Sequence, residues 1–174
     1  MRTTKENDRN FLSQLPLEMN LLLDLLKADC DVLKINSYIK AEINWKKFLQ
    51  LAKHHRVIPL LYFKLQKNEL IWIPESVISY LRNKYRQNVF SMLQLSQEMD
   101  YIGRLLSGNH IRALFLKGPI LGKELYGDIS LRTSKDLDIL ISPRDYIKVK
   151  ELLQKYGYKE RTGTGIILSE DKLR

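Results

Sequence analysis

Apolar residues recur along this chain with two different spacings, and the change from one to the other divides it. From Leu17 to Lys27 the chain is almost continuously apolar, which predicts a helix buried on most sides, with Pro16 suited to its first turn. Asp29–Asp31 ends it and leads into a second short segment near Val32–Lys40. Asn44 is a candidate N-cap, and Trp45, Phe48, Leu49 and Ala52 follow at i, i+3, i+4 and i+7, the spacing of an amphipathic helix that runs to His54-His55-Arg56. Val57-Ile58-Pro59 breaks the pattern, and Pro59 opens a further helix through Leu65. Asn68–Ile73 reads as a connection. Pro74 then opens the longest element. Ile78, Leu81, Tyr85, Asn88, Met92, Leu95, Met99, Ile102 and Leu106 alternate steps of three and four, a heptad-like seam stopped by Gly108-Asn109.

The spacing changes at His110. A short apolar run, Ala113–Leu116, predicts a buried strand that breaks at Lys117-Gly118, where Pro119 opens a short helix. A turn rich in Gly, Asp, Ser and Thr follows, and a second strand is expected over residues 136–141. Pro143–Tyr156 reads as a helix stopped by Gly157, and a hairpin is expected from Tyr158–Thr162 and Gly165–Ser169, turning at Gly163-Thr164-Gly165. The expected fold class is therefore α+β: a helical region over residues 1–108, then a small mixed β-sheet core over 109–174. The seam predicts a long helix packed on its neighbours, and it also suits a homo-oligomer joined through the helical half.

Composition narrows the setting. The chain has 174 residues and is 44% hydrophobic, enough for a real core. Its single cysteine, Cys30, gives neither a disulfide framework nor a zinc-site spacing. No apolar run approaches the ~20 residues of a membrane helix, and the polar start MRTTKENDRN has no apolar signal core. A cytoplasmic protein is the expectation. Residues 1–10 read as a frayed tail. The net charge of +9 raises the possibility of a nucleic-acid partner, but the excess is spread along the chain without an arm or block, as on a solvated basic surface.

The candidate chemistry lies between Leu114 and Ile141, LFLKGPILGKELYGDISLRTSKDLDILI. Residues two apart in a strand share a face, so Asp136 and Asp138 point to one side while Leu137 points to the other. Two carboxylates on one face repel each other, and a divalent cation between them relieves that repulsion. A strand, a glycine turn and a helix start together offer free backbone N–H groups to a phosphate. Lys117 adds a cation, Gly118 lets the backbone approach closely, and Arg132 stands in the loop ahead of the second strand. The assembly suits phosphoryl or nucleotidyl transfer, in which protein groups mostly position and neutralise charge. Each piece also has a plainer reading: Asp-x-Asp occurs at solvated strand ends, and Arg132 can pair with Asp128 or Glu124.

At these residues the chain resembles the uncharacterised nucleotidyltransferase-like proteins of the DNA polymerase beta superfamily. Four marks carry the resemblance: Lys117-Gly118, Leu125-Tyr126, Arg132, and Asp136 with Asp138. Upstream, Leu51-Ala52, His54-His55-Arg56-Val57 and Pro59-Leu60-Leu61 look like the helical region of the same proteins. The resemblance implies a minimal nucleotidyltransferase core with ATP or another NTP as donor. It implies magnesium at Asp136 and Asp138, and nucleotide contacts from Lys117, Gly118 and Arg132. It implies transfer of AMP to a hydroxyl of a small molecule or protein. Lys117-Gly118 stands where the wider superfamily carries Gly-Ser, so the serine hydroxyl is missing.

The superfamily also uses a third carboxylate on a later strand. Glu160, Glu170 and Asp171 are the late candidates, and none sits in an apolar strand. The expectation is a core incomplete at the C-terminus. The alternative function is a catalytically incompetent fold that serves as a binding or assembly module. His54 and His55, about 100° apart on a helix, suit helix-end packing better than a shared metal.

Overall fold

The structure is a computed structural model that describes residues 15–29, 31–68, 72–161 and 165–168. The expected tail at 1–10, Cys30 and the Gly163-Thr164 turn lie outside the described residues, as do Glu170 and Asp171. The first helix, α1 (Leu17–Leu26), is followed by α2 (Val32–Asn36), whose N-cap Asp31 accepts a hydrogen bond from the Lys34 N–H. In α3 (Trp45–His54) the Asn44 side chain accepts from the Lys47 N–H, as its position at the head of the apolar pattern predicts. Next come α4 (Ile58–Asn68) and the long α5 (Glu75–Gly108), which starts directly after Pro74. These helices pack Leu21, Leu25, Ile35, Phe48, Leu61 and Leu81 into one hydrophobic cluster.

The seam of α5 faces inward along its length. Leu81, Met92, Ile102 and Leu106 are buried, and Ile78, Tyr85, Asn88, Leu95 and Met99 are half-buried. Its last turns form one wall of a second cluster, Ile102, Leu106, Ile111, Val149, Leu153 and Tyr158, onto which Phe115, Leu137 and Ile139 pack. The long helix thus serves both clusters.

The second cluster is covered by β1 (Ala113–Leu116) and β2 (Asp138–Ile141), an antiparallel pair in which Leu114 stands opposite Leu140 and Leu116 opposite Asp138. Between them lie α6 (Gly118–Tyr126) and a 3₁₀ turn, Ile129–Leu131. Downstream of β2, a 3₁₀ turn at Pro143–Asp145 precedes α7 (Tyr146–Lys155), so the helix expected from Pro143 is divided in two. The final hairpin is β3 (Tyr158–Arg161) with β4 (Gly165–Leu168).

The class is α+β as expected. Both ladders among the described residues are antiparallel. The second strand is shorter than the expected 136–141. Its partner β1 ends at Leu116, where the backbone turns to positive φ at Lys117, so cross-strand pairing stops at Asp138. Asp136 therefore lies in a bend just before the strand.

Candidate nucleotide site

Alternation along β1 sends Ala113 and Phe115 toward the second cluster and leaves Leu114 and Leu116 exposed. The strand ends in an unusual corner. Lys117 has φ 55° and ψ −145°, and Gly118 follows at φ 56°. A lysine in this region carries backbone strain of about 1–3 kcal/mol, and such strain gathers at functional positions. The corner sends the chain directly into α6, whose first-turn Pro119 is fully buried. The backbone N–H groups of a helix's first turn lack intrahelical partners, and the dipole there favours negative charge.

The α6 helix ends at Gly127, and Asp128 then caps the next turn by accepting from the Ser130 N–H at 2.8 Å. Ser130 and Leu131 are buried against the helical half. Tyr85 and Ser130 hydroxyls lie 3.1 Å apart, and the Asn88 carboxamide donates to the carbonyl oxygens of Ser130 at 2.8 Å and Arg132 at 3.1 Å. Arg132 extends from this anchored segment, and its Nη1 reaches the Gly118 carbonyl at 3.5 Å. Gly122 faces the same turn; a Cβ there would lie 3.2 Å from the Ile129 Cα and carbonyl oxygen.

The two aspartates complete the corner from the other strand. Asp138 pairs with Lys117, with Nζ 3.2 Å from Oδ2. Leu137 turns inward, and Asp136 and Asp138 on either side of it are exposed. The Asp136 carbonyl accepts from the Ser134 hydroxyl at 3.3 Å and lies 3.9 Å from where a Gly118 Cβ would be. Lys117, Gly118, Arg132, Asp136 and Asp138 thus gather around one turn of backbone. Among the described residues, no group of three or more His, Cys, Asp or Glu side chains is arranged to hold a metal. Glu160 stands in β3 opposite Ile166. His54 and His55 pack edge to face at the end of α3, with ring centroids 4.9 Å apart.

An open depression of about 520 Å³ lies between α5 and β1, lined by Met99, Asp100, Gly103, Arg104, Ser107 and Phe115. None of the corner residues lines it, and its walls bring together no pair of carboxylates. Sequence reasoning missed Asn88 and Tyr85 as parts of this site. The available signal was a carboxamide at an inward position of an otherwise apolar seam.

A strand, a Lys-Gly corner, a short helix, an anchored arginine and a strand that opens on an acidic residue thus follow one another around this corner. The chain belongs to a family described as uncharacterised nucleotidyltransferases, whose model matches residues 41–172. Comparison with curated proteins and with solved structures gives no match. No helix among the described residues is long and apolar enough to cross a membrane.

Proposed function

We propose that this protein transfers a nucleotidyl group, AMP from ATP, to a hydroxyl of a small molecule or a protein. The observation that supports this reading is the contact between Lys117 and Asp138 across a strained corner that also faces the start of α6. The donor set at the corner, two exposed carboxylates, fits a hard cation. Asp136 and Asp138 would hold magnesium, which when bound neutralises charge on the triphosphate oxygens. Lys117 exchanges its carboxylate partner for a phosphate. The Gly118 backbone admits the phosphates closely, and Arg132 offers its fork of donors to anionic oxygens. The work of these residues is binding, orientation and charge neutralisation.

Calorimetry of ATP binding at varied magnesium tests the reading. Binding that requires magnesium and is lost in Asp136→Ala/Asp138→Ala is the expected result. Absence of ATP binding at every magnesium concentration would overturn it. A second reading is favoured by the donor set among the described residues, which brings no third carboxylate to the corner: a module that binds nucleotide, or assembles through its helical half, without transferring anything. Nucleotide binding with no pyrophosphate release across a panel of hydroxyl acceptors is its signature.

A further inference from the structure

Asn88 stands at a seam position of α5, between the buried Leu81 and Met92, where an apolar residue is the ordinary occupant. A half-buried carboxamide there is costly unless its hydrogen bonds are made. Its amide group makes two, at 2.8 Å to the Ser130 carbonyl and 3.1 Å to the Arg132 carbonyl. Both partners are acceptors only, so the NH₂ end must face them; a hydroxyl would supply one donor where two are used, and a carboxylate none. One donor group therefore fixes two carbonyls two residues apart, in the extended backbone that delivers Arg132 (φ −114°, ψ 147°).

Other features of the same segment point the same way. The Tyr85 hydroxyl, one helical turn before Asn88, meets the Ser130 hydroxyl at 3.1 Å. Behind it the Tyr85 ring lies on Tyr62 of α4, with centroids 5.1 Å apart. The internal bond of the turn, from the Leu131 N–H to the Asp128 carbonyl, is long at 3.4 Å. The segment is therefore fixed both by the Asp128 cap within it and by Asn88 and Tyr85 on the helical half.

We propose that Asn88 is a positioning residue for the nucleotide site, holding the Arg132 segment against α5 so that the guanidinium stands at the Lys117-Gly118 corner. This inference rests on the reading of Arg132 as a nucleotide contact. It assigns to the helical region a direct part in building the site, carried out by one side chain 44 residues from the arginine it places.

The test is a double-mutant cycle on the full chain, read by calorimetry of ATP with magnesium, together with amide hydrogen exchange over residues 129–133. Asn88→Ala is expected to weaken ATP binding about tenfold, as loss of a half-buried paired donor does. In an Arg132→Ala background the same change is expected to have no further effect, because Asn88 acts through Arg132. Exchange at 129–133 is expected to rise in Asn88→Ala, with protection of α1 and α3 unchanged. Tyr85→Phe keeps the ring contact with Tyr62 and loses only the hydroxyl. It is expected to move both readouts the same way by a smaller amount, and it serves if Asn88→Ala does not fold.

A full additional loss in the double variant would overturn the inference, and so would unchanged exchange at 129–133. A wild-type protein that binds no ATP would overturn the nucleotide reading instead. The exchange result would then still decide whether Asn88 holds the segment.

Discussion

The Lys117 ammonium lies 3.2 Å from the Asp138 carboxylate, joining the end of one strand to the start of its partner. The side chains are 64% and 45% exposed, so the pair is weak in itself, worth about 0–1 kcal/mol. Its meaning is competitive: the carboxylate that would hold a cation already has one beside it. Lys117→Met is therefore expected to raise the affinity for manganese alone about twofold to fivefold while weakening the binding of ATP. Paramagnetic titration of manganese, with and without ATP, reads both effects. Equal weakening of both would show that the lysine does not compete for Asp138.

The backbone of the same residue gives a second expectation. Lysine at φ 55° and ψ −145° occupies a region that only glycine enters freely. Lys117→Gly removes strain of about 1–3 kcal/mol and adds about 0.5–1 kcal/mol of unfolded-chain entropy. A net gain of about 1 kcal/mol in folding stability is expected, together with loss of nucleotide affinity. Thermal unfolding beside ATP calorimetry checks it, and a variant both less stable and weaker in binding would contradict it.

Gly122→Ala ought to stabilise a helix by about 1 kcal/mol on propensity alone. Here the new methyl would meet the Ile129 backbone at 3.2 Å and the Arg132 Cβ at 3.4 Å. That backbone is held by Asp128 and Asn88 and cannot retreat cheaply. Net destabilisation of about 1 kcal/mol is expected, with weaker ATP binding, whereas Lys123→Ala on the exposed side of α6 leaves binding unchanged.

Two buried carboxylates in α1 set an acid limit. A hydrogen bond from Lys47 holds Glu18 below its ordinary 4.5, against the opposing effect of burial. Burial pushes Asp24 upward, but hydrogen bonds from Lys27, Lys34 and Tyr38 outweigh it and hold the carboxyl below its ordinary 3.8. A depressed folded pKa contributes stability that is complete above the unfolded value and lost as pH falls through the folded one. Urea unfolding is expected to show steady stability above about pH 5 and a decline from about 4.5 downward, with a shallower decline in Glu18→Gln. At the other extreme, burial and then the bond to Asp24 push the Tyr38 hydroxyl up to about 12. That contribution fades as pH rises from 10 toward 12. A pH-independent midpoint across the acid window would rule out this account of Glu18 and Asp24.

Much of this architecture is legible in local patterns. The Asn44 cap, the seam from Ile78 to Leu106 and the break at Lys117-Gly118 each follow from residues within a turn or two of one another. The less legible parts depend on contacts distant in sequence. Asp136 falls outside its strand because the partner strand ends at Leu116, a fact of pairing rather than of apolar pattern. Glu18 and Asp24 look like solvated positions of an apolar helix until Lys47, Lys34 and Tyr38 fold over them. Asn88 looks like an interruption of its seam until Ser130 and Arg132 supply the acceptors.

The 34 residues of α5 span about 50 Å and carry a hydrophobic cluster at each end. Such a helix acts as a beam with a load at both ends and the arginine segment hung from its middle. A bend there would tilt the two clusters against each other and shift Arg132 at the same time. The placement of Arg132 and the attitude of the two clusters thereby depend on the straightness of one helix.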